Sequence, residues 1–228
     1  MNSPVKRLYL CMLITALLIS AMVFVLRPSM DLAVAHLFYN QQTHLFVDEN
    51  SKLGLFFHRG FNNWLTRLVI LFIVGCWLGA IFIKQKRPQL KNLALYLTVS
   101  IGMAAGVVCN LIFKDNWGRA RPRDITQFGG SKEFSPAWMI ANQCDNNCAF
   151  YSGHASIVFS LLAFALLIKK PIARSIAIFL VFALGCIASY FRLSRGAHFL
   201  SDAVTAWLMS WLIIYYCHYR IKMKYEIA

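Results

Sequence analysis

The chain has 228 residues, of which 59% are hydrophobic and only 14% are charged, and its formal net charge is +14. This composition excludes an ordinary soluble domain and is typical of a membrane protein folded as one helix bundle. The positive charge does not indicate nucleic-acid binding here, because most lysines and arginines lie beside apolar runs, where they match lipid headgroups and topology signals. We therefore expect the chain to lie in a lipid bilayer.

Six apolar runs approach the length of about 20 residues that a membrane-spanning helix needs. In chain order they are Leu8–Leu26, Asn63–Ile83, Asn92–Phe113, Ser152–Ile168, Ser175–Phe191 and Phe199–Cys217. The fourth and fifth are short, so we expect them to be packed inside the bundle or to begin in a polar pocket. The predicted fold is all-α: one polytopic bundle over residues 1–228 with six transmembrane helices. The sequence does not indicate an oligomeric state.

Two details of these runs carry expectations of their own. The first run is long for the core of a signal peptide and lacks a small-x-small cleavage site, so we interpret it as an anchor. Gly102 and Gly106 in the third run form a small-xxx-small pattern, which predicts close helix packing.

The segment between the first two runs, residues 27–62, alternates polar and apolar residues as interfacial helices do. It forms either short helices that lie at the membrane interface or a packed cap without substrate contact.

The positions of lysine and arginine predict how the bundle is oriented. One set of helix ends has Glu226 as its only acid and carries Lys6, Arg7, Lys84, Lys86, Arg87, Lys91, Lys169, Lys170, Arg174, Arg220, Lys222 and Lys224. The opposite helix ends carry the remaining lysines and arginines on longer loops, together with nearly all of the acidic residues. We therefore expect both termini to be cytoplasmic. In a bacterium, the opposite ends would face the periplasm from the inner membrane.

The first polar cluster on those opposite ends covers residues 114–156. Lys114 is followed after six residues by Arg121-Pro122, and Ser152-Gly153-His154 stands at the start of the fourth apolar run. Cations beside the backbone N–H groups of a helix start form an anion site, and phosphate is the usual anion. The histidine is placed to protonate a leaving alkoxide. Taken alone, these residues are equally explained as a helix cap and a boundary histidine.

The second polar cluster covers residues 192–202. His198 and Asp202 are four residues apart at a helix start, so they share one helix face. A carboxylate there accepts a hydrogen bond from one imidazole nitrogen and leaves the other nitrogen more basic, which suits a nucleophile. Arg192 lies six residues before this histidine at the end of the preceding run. A lone His-x-x-x-Asp arises by chance, but its combination with the first cluster favours a functional site.

Three motifs in this order and at these spacings resemble the type 2 phosphatidic acid phosphatase family: KDNWGRARP (114–122), YSGH (151–154) and RLSRGAHFLSD (192–202). Two positions depart from the family pattern, since Tyr151 replaces its proline and Phe191 its serine. The resemblance implies a membrane-bound phosphoric monoester hydrolase that needs no metal or other cofactor. It implies that His198 attacks phosphorus to give a phosphohistidine, Asp202 orients it, and His154 protonates the leaving group and then helps to activate water. The implied ligands of the phosphate oxygens are Lys114, Arg121, Ser152, Gly153 and Arg192.

The polar insert between the motifs supports a narrower resemblance. FKDNWGRARPRD, FGG, FSP and QCDNNCAF look like the corresponding stretches of lipid A phosphatases of Gram-negative bacteria, especially the type that acts on the 4′-phosphate. A large disaccharide phosphate head needs cations beyond the catalytic set. The candidates for headgroup contacts are Arg119, Arg123, Lys132 and Arg195, for which the alternative is a solvated or salt-bridged loop residue.

The insert also contains Cys144 and Cys148. In an oxidising periplasm, these two cysteines are candidates for a small disulfide loop. The competing interpretation is a zinc site with His154 or Asp145, but the chain lacks a second paired-ligand motif, so we expect no metal.

The same motifs leave other functions open. Undecaprenyl pyrophosphate or phosphatidylglycerophosphate would be handled by the same residues, and so would phosphoryl transfer to a lipid hydroxyl. A membrane transporter is the alternative outside the enzymes. A transporter is expected to place charges near the middle of the membrane, often on broken helices, whereas here the charges gather at helix ends.

Overall fold

The computed structural model describes residues 4–49 and 51–225. Nine α-helices and a small hairpin of two-residue strands make up most of this part of the chain. In chain order, they are α1 (Pro4–Leu26), α2 (Ser29–His36), β1 (Tyr39–Asn40), β2 (Leu45–Phe46), α3 (Lys52–Leu55), α4 (Asn62–Phe82), α5 (Arg87–Ile101), α6 (Gly153–Phe159), α7 (Leu162–Ala165), α8 (Pro171–Leu193) and α9 (Leu200–Tyr225). Phe56–Phe61 and Gly102–Lys114 are wound as π-helix, and Lys84–Lys86, Pro122–Asp124 and Thr126–Phe128 as single 3₁₀ turns.

Five helices in the described ranges are long and apolar enough to cross a membrane: Arg7–Leu26, Asn62–Phe82, Lys84–Lys114, Pro171–Leu193 and Leu200–Ile221. Large apolar side chains such as Leu18, Leu71 and Phe179 are exposed on their outer faces, as expected of surfaces that face lipid. The prediction of a polytopic, mainly helical membrane bundle is confirmed. The hairpin is a small addition to the predicted all-α class.

The fourth predicted span, Ser152–Ile168, does not form a helix of membrane length. By helix length, the described residues therefore supply five of the six predicted spans. The helix of this fourth span covers only Gly153–Ala165 and is interrupted near Ser160. The hydroxyl of Ser160 donates to the carbonyl of Ser156 at 2.7 Å, and such back-bonding bends helices. Beyond that point bonds of the 3₁₀ type, such as Ala163 N–H to Ser160 O at 3.0 Å, occur beside α-helical ones, such as Leu166 N–H to Leu162 O at 3.0 Å. The third span is longer than predicted and begins at Lys84.

Gly102 and Gly106 do not mediate close packing. A Cβ placed on either residue would meet no atom within 4 Å, so the predicted helix contact is wrong. Both glycines lie in the π-helical continuation of α5, where Asn110 Nδ2 donates to the carbonyl of Ala105, five residues earlier, at 2.7 Å. They line an open cavity between α4 and α5 instead.

The apolar core of the bundle lies among α5, α7, α8 and α9. It includes Tyr96, Leu162, Val181 and Ile214, all buried. The hydroxyl of Tyr96 donates to the carbonyl of Ala163 at 3.1 Å, so the interrupted helix is tied to α5. The core thus holds α6 and α7 inside the bundle, as their short apolar run predicts.

Residues 27–49 and 51–61, which we call the cap, fold over one end of the bundle. The cap is anchored to the loop between α8 and α9, because Asp48 N–H donates to Ser194 O at 3.1 Å and Arg195 donates to Asp48 O at 3.0 Å. Gly196 in this loop has a φ of +60°, and a Cβ there would overlap the ring of Phe46. Glycine is therefore required where the cap meets the loop.

Candidate active site

Backbone hydrogen bonds join the three motifs at the end of the bundle where the cap lies. Ser152 N–H donates to Asp202 O at 3.3 Å, and Arg123 N–H donates to Gly196 O at 3.0 Å. The carbonyl of Lys114 accepts from Cys148 N–H at 3.2 Å. The ends of the π-helical continuation of α5 (Gly102–Lys114) and of α8 therefore meet the starts of α6 and α9, and each of these four ends carries predicted site residues.

His198 and Asp202 form a buried pair at the start of α9. His198 Nδ1 lies 3.4 Å from Asp202 Oδ2, which also accepts the Phe199 N–H at 2.9 Å. Both side chains are fully buried. Within the described part of the chain, His198 Nε2 has no hydrogen-bond partner. The pair thus has the geometry that the four-residue spacing predicts, with the second imidazole nitrogen left for a substrate.

Several positive groups surround this imidazole. Burial lowers the pKa of His198 well below 6.5, and the charges of Arg192, Lys114 and Arg121, together with His154, lower it further. The residues that the sequence predicts as phosphate ligands therefore lie close enough to act on His198 electrostatically. A neutral imidazole carries the free electron pair that a nucleophile needs.

The lowered pKa predicts that His198 takes up no proton between pH 8 and pH 6. Protonation would place a further charge in a buried, already positive site, so the neutral form persists until the pH falls well below 6.5. NMR titration of protein labelled with ¹⁵N in histidine measures this directly, and the signals missing from His198→Ala identify the residue. A titration midpoint at or above pH 6.5 would contradict the prediction.

Lys114 and Arg121 are bridged by a residue that the sequence did not single out. Lys114 Nζ donates to Asn147 Oδ1 at 2.8 Å, and an Arg121 guanidinium nitrogen donates to Asn147 O at 2.7 Å. The backbone of Asn147 has a φ of +50°, a conformation that asparagine tolerates better than most residues. The structure joins Cys144 and Cys148 in a disulfide, which closes a short loop around this asparagine.

The start of α6 forms the opposite wall of the predicted phosphate site. Ser152 is its N-cap, and the hydroxyl accepts from Ala155 N–H at 3.4 Å. A Cβ on Gly153 would lie 3.4 Å from Lys114 Cε, so the backbone approaches the lysine closely at this point. His154 is half-buried and lines the same cavity as Lys114. Backbone N–H groups and a lysine thus converge, as an anion site requires.

Arg119 occupies a different place from the one predicted. The prediction that it contacts the headgroup is wrong, because its side chain is fully buried in ion pairs with Asp31 and Asp202. Arg195 is also mostly buried and donates to Asp48 O. Arg123 and Lys132 are exposed near the site and remain candidates for headgroup contacts.

A cavity of about 590 Å³ leads from the site into the apolar part of the bundle. Lys114, Gly153 and His154 line its polar end, and apolar or small residues of α4 and α5 line the rest, including Val69, Ile73, Gly102 and Gly106. Such a cavity suits an amphiphile whose polar head lies at the site.

Comparison with known proteins adds independent information. The profile described as the PAP2 superfamily matches residues 93–226. A protein of Francisella tularensis subsp. novicida (strain U112) named Lipid A 4′-phosphatase is 34% identical over 206 residues, which cover 87% of this chain and 90% of that protein. A protein of Rhizobium leguminosarum with the same name is 36% identical over 135 residues, which cover 59% of this chain and 56% of that protein. No solved structure matches this chain.

Proposed function

This chain belongs to the PAP2 superfamily, and from that premise we propose that it is a membrane phosphatase that removes the 4′-phosphate from lipid A. The observation that carries the proposal is the buried pair of His198 and Asp202, whose free nitrogen lies among Lys114, Arg121 and Arg192. The similarity to two proteins named Lipid A 4′-phosphatase supports the choice of lipid. The five apolar helices support a multi-pass membrane location.

The reaction proceeds in two steps. Nε2 of His198 attacks phosphorus and forms a P–N bond, while the P–O bond to the sugar breaks and His154 gives its proton to the leaving oxygen. Water then attacks the phosphohistidine, with His154 taking up the proton, and inorganic phosphate leaves. Lys114, Arg121 and Arg192 stabilise the charge that develops on the phosphate oxygens, together with the N–H groups at the start of α6. Asp202 holds the imidazole in the required tautomer.

We place the acyl part of the lipid in the cavity between α4 and α5. Replacing Gly106 by Phe fills this cavity, so we expect kcat/KM for lipid A to fall on the order of ten-fold or more, because the lipid can no longer seat its chain beside the phosphate site. Hydrolysis of p-nitrophenyl phosphate, which has no acyl chain, should stay near the wild-type rate.

Gly75→Phe is the matched control for this prediction. A Cβ at Gly75 also meets no atom within 4 Å, but this glycine does not line the cavity. Equal losses in both variants, or equal losses with both substrates, would contradict the placement of the lipid.

We also propose that the active site faces the periplasm from the bacterial inner membrane, that both termini are cytoplasmic, and that residues 1–228 form one domain. The position of the run Ser152–Ile168 supports a sixth crossing. Ser152 bonds to Asp202 at the site end, whereas Pro171 begins α8, whose last turn carries Arg192 at the site end. The run therefore connects the site end of the bundle to the opposite end of α8, a helix about 35 Å long. A fluorescent protein fused to the C-terminus should report a cytoplasmic end, and a periplasmic signal would refute six crossings.

The decisive experiment is phosphate release by the purified protein in detergent with EDTA present. Lipid A, phosphatidylglycerophosphate, phosphatidic acid and undecaprenyl pyrophosphate are compared side by side, and His198→Ala is the control. We expect release that depends on His198, a preference for lipid A, and a product that mass spectrometry shows to lack the 4′-phosphate. Preference for another lipid would overturn the substrate while keeping the mechanism. Loss of lipid phosphate without free phosphate would indicate transfer to a lipid hydroxyl.

A further inference from the structure

Arg119 is a buried cation held between two buried carboxylates. One terminal nitrogen donates to Asp202 Oδ1 at 2.6 Å, and the other donates to Asp31 Oδ2 at 2.8 Å. All three side chains are inaccessible to solvent. Asp202 is the residue that pairs with His198, so Arg119 reaches the reacting group through a single intermediate side chain.

Further contacts fix the orientation of the guanidinium group. Its Nε donates to Ser135 O at 2.9 Å, and its carbon lies 4.3 Å from the centre of the Phe199 ring. The nitrogen that contacts Asp202 also donates to Ser201 Oγ at 2.8 Å. The planar guanidinium group is held by hydrogen bonds along its edge and by the Phe199 ring on its face, so it takes one orientation. A lysine side chain cannot reproduce these contacts.

Asp31 connects this group to the cap. It lies in α2, and it accepts hydrogen bonds from both the backbone N–H (2.8 Å) and the hydroxyl of Ser201 in the first turn of α9. Asp31 is outside the three motifs and outside the residues that the family profile matches. The cap therefore contributes a charge to the centre of the site.

We propose that Arg119 is a positioning residue that keeps Asp202 ionised and directed at His198, and that Asp31 is a positioning residue that holds Arg119 in place. The inference rests on the proposed function, in which His198 is the nucleophile. Two carboxylates that share a buried site cannot both stay ionised without a cation between them, and one takes up a proton. A protonated Asp202 would no longer stabilise positive charge on the imidazole as it attacks. Arg119 prevents this, and Asp31 holds Arg119 and the start of α9 in place.

The test is a double-mutant cycle with Arg119→Gln and Asp31→Asn. Arg119→Gln leaves two facing carboxylates, so we expect kcat to fall at least about 100-fold at neutral pH, approaching the effect of disabling the catalytic carboxylate itself. KM should change less than about two-fold, because Arg119 does not touch the substrate. Activity of this variant should rise again at higher pH, where Asp202 loses its proton.

The double variant separates positioning from mere structural support. Asp31→Asn removes the competing carboxylate, so we expect the Arg119→Gln/Asp31→Asn protein to recover about ten-fold of the lost kcat. Arg174→Gln is the matched control, because this arginine donates to backbone carbonyls at the opposite end of α8. The proposal is overturned if the double variant is less active than Arg119→Gln. It is also overturned if the loss of kcat/KM comes from a raised KM and not from a lowered kcat.

Two further comparisons keep the test decisive. If Arg119→Gln does not yield a folded protein by size-exclusion chromatography, Asp31→Asn is compared with Asp31→Glu, which keeps the charge. A loss of kcat in Asp31→Asn that Asp31→Glu partly restores supports the proposal, and equal activity of both variants overturns it. Full activity of His198→Ala would instead refute the proposed function. If His198→Ala is inactive but the Arg119 and Asp31 variants keep wild-type activity, only this inference is refuted.

Discussion

Replacing His198 by Ala is expected to lower phosphate release by about 10⁴-fold or more, because alanine removes the nitrogen that we propose as the acceptor of the phosphoryl group. His198 Nε2 is the buried imidazole nitrogen that Asp202 leaves available among the cations that we propose as phosphate ligands. Asp202→Asn should retain more activity, with a loss on the order of 10²–10⁴-fold, since the nucleophile remains but its tautomer is no longer held. Initial rates of phosphate release from the preferred lipid measure both effects.

His218→Ala is the matched control for the His198 variant. It removes a histidine from α9, the helix that follows His198, where the ring packs against Tyr96 far from the site. We expect its activity to stay within a few-fold of wild type. The size-exclusion profile and melting temperature of each variant show that the fold is retained. Near-normal turnover by a folded His198→Ala protein would disprove the phosphohistidine mechanism.

Replacing His154 by Ala should separate the two chemical steps. With lipid A, the leaving sugar alkoxide needs a proton, so we expect turnover to fall about 10²–10⁴-fold. With p-nitrophenyl phosphate, the leaving group departs without a proton, so His198 should still be phosphorylated. Hydrolysis of the intermediate also uses His154, and the phosphohistidine should therefore accumulate.

Acid-labile, base-stable ³²P on the protein after a short incubation measures this accumulation. His154→Ala/His198→Ala is the control and should carry no label. A loss of the same size with both substrates and no labelled protein would show that His154 is not the acid, and that its role is confined to the start of α6.

Local patterns in the sequence carried much of the fold and of the site. Hydropathy identified the five long helices, because a spanning helix is a property of one continuous segment. The spacing of His198 and Asp202 identified their pairing, because four residues form one helical turn. The N-cap at Ser152 is equally local.

The failures share a physical cause, which is that they depend on distant parts of the chain. The run Ser152–Ile168 has the composition of a span, but its helix is interrupted near Ser160, inside the core that it forms with α5, α8 and α9. Gly102 and Gly106 have the pattern of a packing motif, yet a Cβ at either would meet no atom of the described residues within 4 Å. Asn147 joins Lys114 from 33 positions away and gave no signal in the sequence.

The role of Arg119 shows this division most clearly. The sequence by itself determined that a basic cluster follows the third span, and that it accompanies a histidine and a carboxylate on one helix face. Only the tertiary structure decided which cations face a substrate and which are buried. Arg119 meets Asp31 over 88 positions and Asp202 over 83 positions of the chain. Whether a charged side chain binds a substrate or supports another residue depends on which groups the packed bundle places against it.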